Sequence, residues 1–365
     1  MRKGFTFFVS CLLLLVMMFS VVGCGGGGSS NQGSQGGGSS GGSGEPAAPK
    51  LPNMLSIGTH AIGSLFNSMG SGLATVCSKN TPMEVKAIAT SGPVEWLPMF
   101  HSKEIDMGVL NAWDARMGWL GQSDYETVSR GKGFPVRLVT NGSPSVISAI
   151  VAADSGINTA QDLKGKNFVL NYAGSAGLSA QARSFLASHN MSAADVQAIS
   201  VPGVADGVNM IIERRADCTG TANIGFALLE ELEATRGAKY LSYDPSPEAE
   251  KRAQAEFPGF IVLVEPGPGN TGVREPTYMY TYENYLIART DISEDAVYAI
   301  VKALWENYDE LATIHPRLAL WKPDTFVTEL ATVPYHPGAI KFYKEQGVWT
   351  DKMEAVQKER LAEEK

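Results

Sequence analysis

The chain has 365 residues and a formal charge of -8, from 30 Lys and Arg against 38 Asp and Glu. A net negative surface without a Lys/Arg cluster argues against nucleic acid as a partner. The length is enough for two domains with separate cores, and the histidines and cysteines match no metal-ligand spacing, so neither a metal nor another cofactor is expected.

Arg2 and Lys3 precede an apolar run over residues 5–22 that ends in Val21, Val22, Gly23 and Cys24. A positive start, an apolar centre and small residues at the cut make an export signal over residues 1–24. The run is also just long enough to span a membrane, so a retained anchor is the rival reading. Its end resembles the lipobox of bacterial lipoproteins, with Val21 where Leu is commoner, and the resemblance implies that Cys24 becomes an acylated N-terminus held at a membrane. Residues 25–44, almost all Gly, Ser, Gln and Asn, can build no core, and 25–53 reads as a flexible tether. Cys77 and Cys218 read as free thiols, since no spacing indicates a disulfide.

From residue 54 onward, short apolar strands alternate with helices. Residues 54–58 read as a strand, followed by a small loop and a helix through Phe66, Met69, Leu73 and Val76. A second strand spans 85–89 with a helix over 94–100 behind it. A third spans 105–110, followed by a helix carrying Trp113, Met117 and Trp119. After a polar insert at 121–133, strands at 136–140 and 145–152 cross between lobes. A second round of alternation follows: strands at 168–170, 197–201 and 217–221, with helices to 189, over 208–215 and over 224–235. Residues 260–268 are extended, and the β-rich run 277–288 returns to the first lobe. Residues 292–308 have the spacing of an amphipathic helix, 326–330 and 339–347 read as helices, and the charged tail after 352 is helical. The alternation predicts α/β architecture: parallel sheets covered on both faces, in two similar lobes with a hinge and a central cleft. The first lobe takes 54–145 and 266–365, the second 146–265.

The order strand, small-residue loop, helix recurs where a ligand would be held. Thr59, His60, Gly63 and Ser64 form one such loop, Thr90, Ser91 and Gly92 a second, and Gly174, Ser175, Ala176, Gly177 and Ser179 a third. Hydroxyls and backbone N–H groups at a helix N-terminus receive an anionic or carbonyl group. The third loop lacks GxGxxG and the Walker lysine, and a tight turn with no ligand explains small residues equally well. Asn111, Trp113 and Asp114 follow the third strand and face the same cleft. Trp113 is either a stacking surface or core, Asn223 a ligand contact or a helix cap, and Tyr172 a pocket wall or loop packing. Phe66 and Trp96 set the pocket's volume by their direction.

Ile57-Gly58-Thr59 with Gly63 and Ser64, Thr90-Ser91-Gly92-Pro93-Val94, the strand from Ile105 to Val109, Asp154-Ser155-Gly156-Ile157 with Asp162-Leu163-Lys164-Gly165-Lys166, Gly174-Ser175-Ala176-Gly177, and Ala216-Asp217 together resemble the TAXI class of solute receptors. These serve tripartite ATP-independent periplasmic (TRAP) transporters. The resemblance runs from about residue 54 to 303. It implies a two-lobed type II periplasmic binding fold, a non-enzymatic receptor working as a monomer, and delivery of a small organic acid to a sodium-coupled membrane carrier. One aromatic of the family's first loop is missing at Gly63-Ser64-Leu65-Phe66, and the second loop carries Gly92-Pro93 and Trp96, which points away from glutamate-like ligands. The rival classes are the receptor of an ATP-driven transporter, a sensory module on the same fold, and an exported α/β enzyme. The last lacks support: the folded part contains no GxSxG, and Ser175 has no histidine that sequence assigns to it.

Overall fold

The structure is a computed structural model that describes residues 51–364; the expected signal, Cys24 and most of the tether lie outside the described residues. Strand β1 (Met54–Thr59) leads to helix α1 (Leu65–Asn80), β2 (Glu84–Ala89) to the one-turn helices α2 (Pro93–Trp96) and α3 (Met99–Ser102), and β3 (Met107–Asn111) to α4 (Ala112–Leu120). Ser64 starts α1 by accepting the Asn67 N–H at 3.1 Å, an N-cap that replaces one missing intrahelical partner. Pro98, which has no N–H to donate, divides the helix expected over 94–100. Helix α5 (Tyr125–Ser129) interrupts the polar insert, and β4 (Val136–Asn141) and β5 (Ser145–Ala152) follow.

The second round runs β6 (Asn167–Tyr172), α6 (Ala176–Ser188), β7 (Gln197–Val201), α7 (Val204–Ile212), β8 (Cys218–Asn223), α8 (Leu228–Arg236), β9 (Ala238–Tyr240), α9 (Pro247–Glu256), β10 (Phe260–Val264), β11 (Thr277–Tyr282) and β12 (Asn284–Arg289). Helix α7 begins earlier than the apolar spacing indicates because Asp206 accepts the Gly203 N–H at 3.0 Å and closes the first turn. Helix α8 begins later because Gly225, at φ 76°, turns the chain first. Helices α10 (Glu294–Glu306), α11 (Tyr308–Ile314), α12 (Pro337–Glu345) and α13 (Asp351–Ala362) complete the chain. The face of α10 that carries Val297, Ile300, Val301 and Leu304 is buried, as its spacing requires. Residues 326–330 form bends and a turn, not the expected helix. Their backbone is committed to tertiary partners: the Phe326 carbonyl accepts from Asn141 N and the Thr328 N–H donates to Tyr335 Oη.

The strands form two sheets, in the orders β2-β1-β3-β12-β4 and β10-β11-β5-β8-β6-β7, with β9 paired to β5. Both are mixed rather than wholly parallel. In the first, β12 runs antiparallel to β3 and β4; in the second, β5 runs antiparallel to β8, β9 and β11. The chain crosses between sheets after β4 and again at Glu283. Thus β10 and β11 belong to the second sheet, and the return falls at 283 rather than at 266. The crossings are tied together, since Gly142 N donates to Asn284 O at 2.9 Å. Trp321 covers them: a Cβ on Gly142 would stand 2.4 Å from its ring, and its Nε1 donates to Thr140 Oγ1. Cys77 and Cys218 are buried free thiols.

Candidate functional site

Asn111 ends β3 and caps α4, its Oδ1 accepting the Asp114 N–H at 2.7 Å while its Nδ2 donates to Asp114 Oδ2 at 2.7 Å. Tyr125 Oη donates to Asp114 Oδ1 at 2.7 Å. From the second lobe, Ser175 Oγ donates to Oδ2 at 2.6 Å and Gly177 N to Oδ1 at 2.9 Å. The N-terminus of α6 therefore already holds a carboxylate, that of Asp114. This corrects the expectation that the glycine loop receives the acid of a ligand. Burial pushes the Asp114 carboxyl up from the usual range, and the bonds from Ser175, Tyr125, Gly177 and Asn111 hold it down against that. The second loop closes on the same seam. Val94 N donates to Gly174 O at 3.1 Å, and a Cβ on Gly92 would come within 2.3 Å of that oxygen.

The other expected residues mostly serve the fold. Thr59 Oγ1 donates to His60 O and accepts from Asn67. Ser64 caps α1, Gly63 turns at φ 85°, and Thr90 Oγ1 donates to Thr59 O. Ser91 donates to Glu95, holding that carboxyl below its usual range. His60 is buried, stacked 4.4 Å from Phe66, and desolvation lowers its pKa to about 3. Trp96 lies over Gly58 and Gly108, with its indole where their Cβ atoms would be, so it is core beneath the first sheet. Tyr172 is held by Val169 O and Thr219, Ser179 Oγ accepts from Tyr172 N, and Ala176 is buried. Asn223 Oδ1 is buried without a partner.

An open space lies beside this seam. A cavity of about 490 Å³ is bounded by α4 on one side, the α9–β10 junction on the other and the β11–β12 crossing behind, with Leu330 and Thr332 at its rim. That volume falls in the range of small-molecule sites. Its walls are largely apolar: Trp113, Met117, Phe257 and Tyr282, the first ring 6.2 Å from Phe257. Two charged residues line it. Arg116 donates to Thr332 O at 3.0 Å and to Glu363 at 2.6 Å. Glu283 has its carboxyl pushed up by burial, with an Asn141 hydrogen bond opposing the rise. Trp113 is the one expected ligand residue on these walls. Arg116 was legible as the residue three positions on from Trp113, on the same face of α4; Phe257 and Glu283 carried no motif.

Among the described residues no cluster suits a metal ion. A solved structure of PhnD1 from Prochlorococcus marinus in complex with methylphosphonate superposes with a TM-score of 0.50 at 10% identity, over 81% of this chain and 99% of that one. The alkanesulfonate-binding protein SsuA from Xanthomonas axonopodis pv. citri, bound to MOPS, gives 0.45 at 13% identity, over 84% and 98%. A TctC solute-binding protein from Polaromonas gives 0.41 at 14%, over 73% and 89%. At such identities the likeness concerns the fold, which is the α/β periplasmic binding protein fold in two lobes. The sequence model of the NMT1-like family matches residues 57–347, most of the chain, and the protein belongs to that family.

Proposed function

We propose that this protein is an exported solute receptor, anchored through acylated Cys24, that captures a small organic acid and delivers it to a sodium-coupled TRAP transporter without chemical change. The observation that carries the reading is the ligand-sized, apolar cavity between two lobes joined by paired crossings. The resemblance to the TAXI class supplies the transporter type and the acid. Because Asp114 fills the α6 N-terminus, the acid's carboxylate goes to Arg116, which has donors beyond the two engaged by Thr332 and Glu363. The ligand's apolar body lies against Trp113 and Phe257. One charged hydrogen bond of about 1.5–3 kcal/mol and the burial of that body support micromolar affinity, roughly -8 kcal/mol. Closure is a two-state equilibrium that the ligand shifts by its preference for the closed form.

The test is mass spectrometry of the solute that co-purifies with the signal-free protein, followed by a thermal-shift screen of organic acids. An acid that raises the melting temperature, and loses at least tenfold in affinity in Arg116→Met, is expected. A neutral co-purified solute, or an acid indifferent to Arg116→Met, overturns the acid assignment.

A further inference from the structure

The ligand cavity carries a second charge that a carboxylate on Arg116 leaves without a counter-ion. Glu283 lies in the crossing between β11 and β12, where its carbonyl accepts the Ala112 N–H at 3.0 Å and fixes it against the first turn of α4. It lines the same cavity as Arg116 and is only partly buried, so it keeps accessible surface there. The two charges do not pair with each other. Arg116 follows Ala112 by four residues, about 6 Å along the helix axis, and its ion-pair partner is Glu363 at 2.6 Å. Among the described residues Glu283 forms no ion pair, and what opposes the effect of burial on its carboxyl is a hydrogen bond from Asn141. A carboxylate on apolar walls attracts an opposite charge more strongly than one in water does. The rings of Trp113, Phe257, Tyr282 and Tyr285 line the same space, and the faces of aromatic rings also attract a cation.

Resting on the receptor reading above, we propose that Glu283 is a second binding residue of this cavity and receives an ammonium group of the ligand, which makes the solute an amino acid with an apolar body rather than a diacid. The carboxylate lies on Arg116, the ammonium donates to Glu283, and the hydrocarbon rests on Trp113 and Phe257. Each charge in the cavity then stands beside an opposite one. A diacid would bring its second carboxylate toward Glu283 and be repelled. A simple fatty acid would leave Glu283 unpaired among apolar walls.

Calorimetry at neutral pH with hexanoate, 2-aminohexanoate, 6-aminohexanoate, hexylamine and adipate separates the two seats, since all five share a six-carbon chain and differ in the charges it carries. One of the two aminohexanoates is expected to bind at least tenfold tighter than hexanoate, and adipate no tighter than hexanoate. In Glu283→Gln that advantage should vanish, while hexanoate and adipate gain affinity because a negative charge has left the cavity. If the variant fails to fold, the wild-type ranking alone decides. Hexanoate binding as tightly as both aminohexanoates, or an advantage that survives in Glu283→Gln, overturns the proposal and leaves the acid seat intact. Hexylamine binding that is lost in Glu283→Gln, with no binding of hexanoate, supports the ammonium contact and overturns the acid seat. Failure of all five to bind overturns both.

Discussion

Asp114 receives four hydrogen bonds, two from its own lobe and two from the other, and forms no ion pair among the described residues. A buried carboxylate so held is stabilised by dipoles alone. Asp114→Ala should cost about 2–4 kcal/mol in urea denaturation, because Ser175, Gly177, Tyr125 and Asn111 then have no acceptor; a cost below about 1 kcal/mol would refute the seam's importance. His60 makes a different prediction at the same scale. Its folded pKa is lowered to about 3 by burial, so below pH 6.5 the unfolded chain takes up a proton that the native state refuses. The contribution of His60 to stability is therefore most favourable above pH 6.5 and is lost progressively as pH falls toward 3, by on the order of 4 kcal/mol. His60→Phe, which keeps a ring against Phe66, should flatten the melting temperature over that interval. An unchanged pH profile would show that His60 is not the group responsible.

At the level of elements, the glycine loop before α6 is a docking point between lobes. A Cβ on Gly174 would stand 2.3 Å from Ser91 O and 2.9 Å from Pro202 O, too close for the β6–α6 and β2–α2 loops to meet as they do. Gly174→Ala is expected to raise the radius of gyration in small-angle scattering and to weaken binding of the co-purified solute tenfold or more, with the circular dichroism unchanged. Equal scattering and affinity would mean that closure does not depend on this meeting. The loop's small residues were legible as a tight strand-to-helix junction with an anion-receiving helix start. What they receive was not, because a helix N-terminus accepts a ligand's carboxylate and a protein's on the same terms. Residues 326–330 have helical spacing, but β4 and Tyr335 compete successfully for their backbone groups.

Over the whole molecule, two mixed sheets joined at residues 142–144 and at Glu283 leave a cleft whose depth is closed by α4–α6 contacts and whose open part is the cavity beside Trp113. On the proposed receptor reading, this arrangement would couple ligand binding to lobe closure, because α4 supplies both Asp114 to the seam and Arg116 to the cavity. The crossings supply Tyr282 and Glu283 to the same space. A ligand bridging Arg116 and Tyr282 would therefore touch both lobes at once, which is the differential contact that closure requires.

Alternation of short strands with helices, the Ser64 and Ser175 hydroxyls that cap α1 and α6 by accepting the Asn67 and Leu178 N–H groups, and the amphipathic α10 follow from local pattern, since each depends on residues within a few turns of one another. The two-lobed α/β class follows from their order. Strand direction in the two sheets, the crossing at Glu283 and the identity of the carboxylate on α6 depend on partners far apart in the chain; Ser175 and Asp114 are separated by 61 residues. No local spacing encodes that meeting. It is decided by which surfaces can pack without a Cβ between Gly92 and Gly174, and that is a property of the assembled fold.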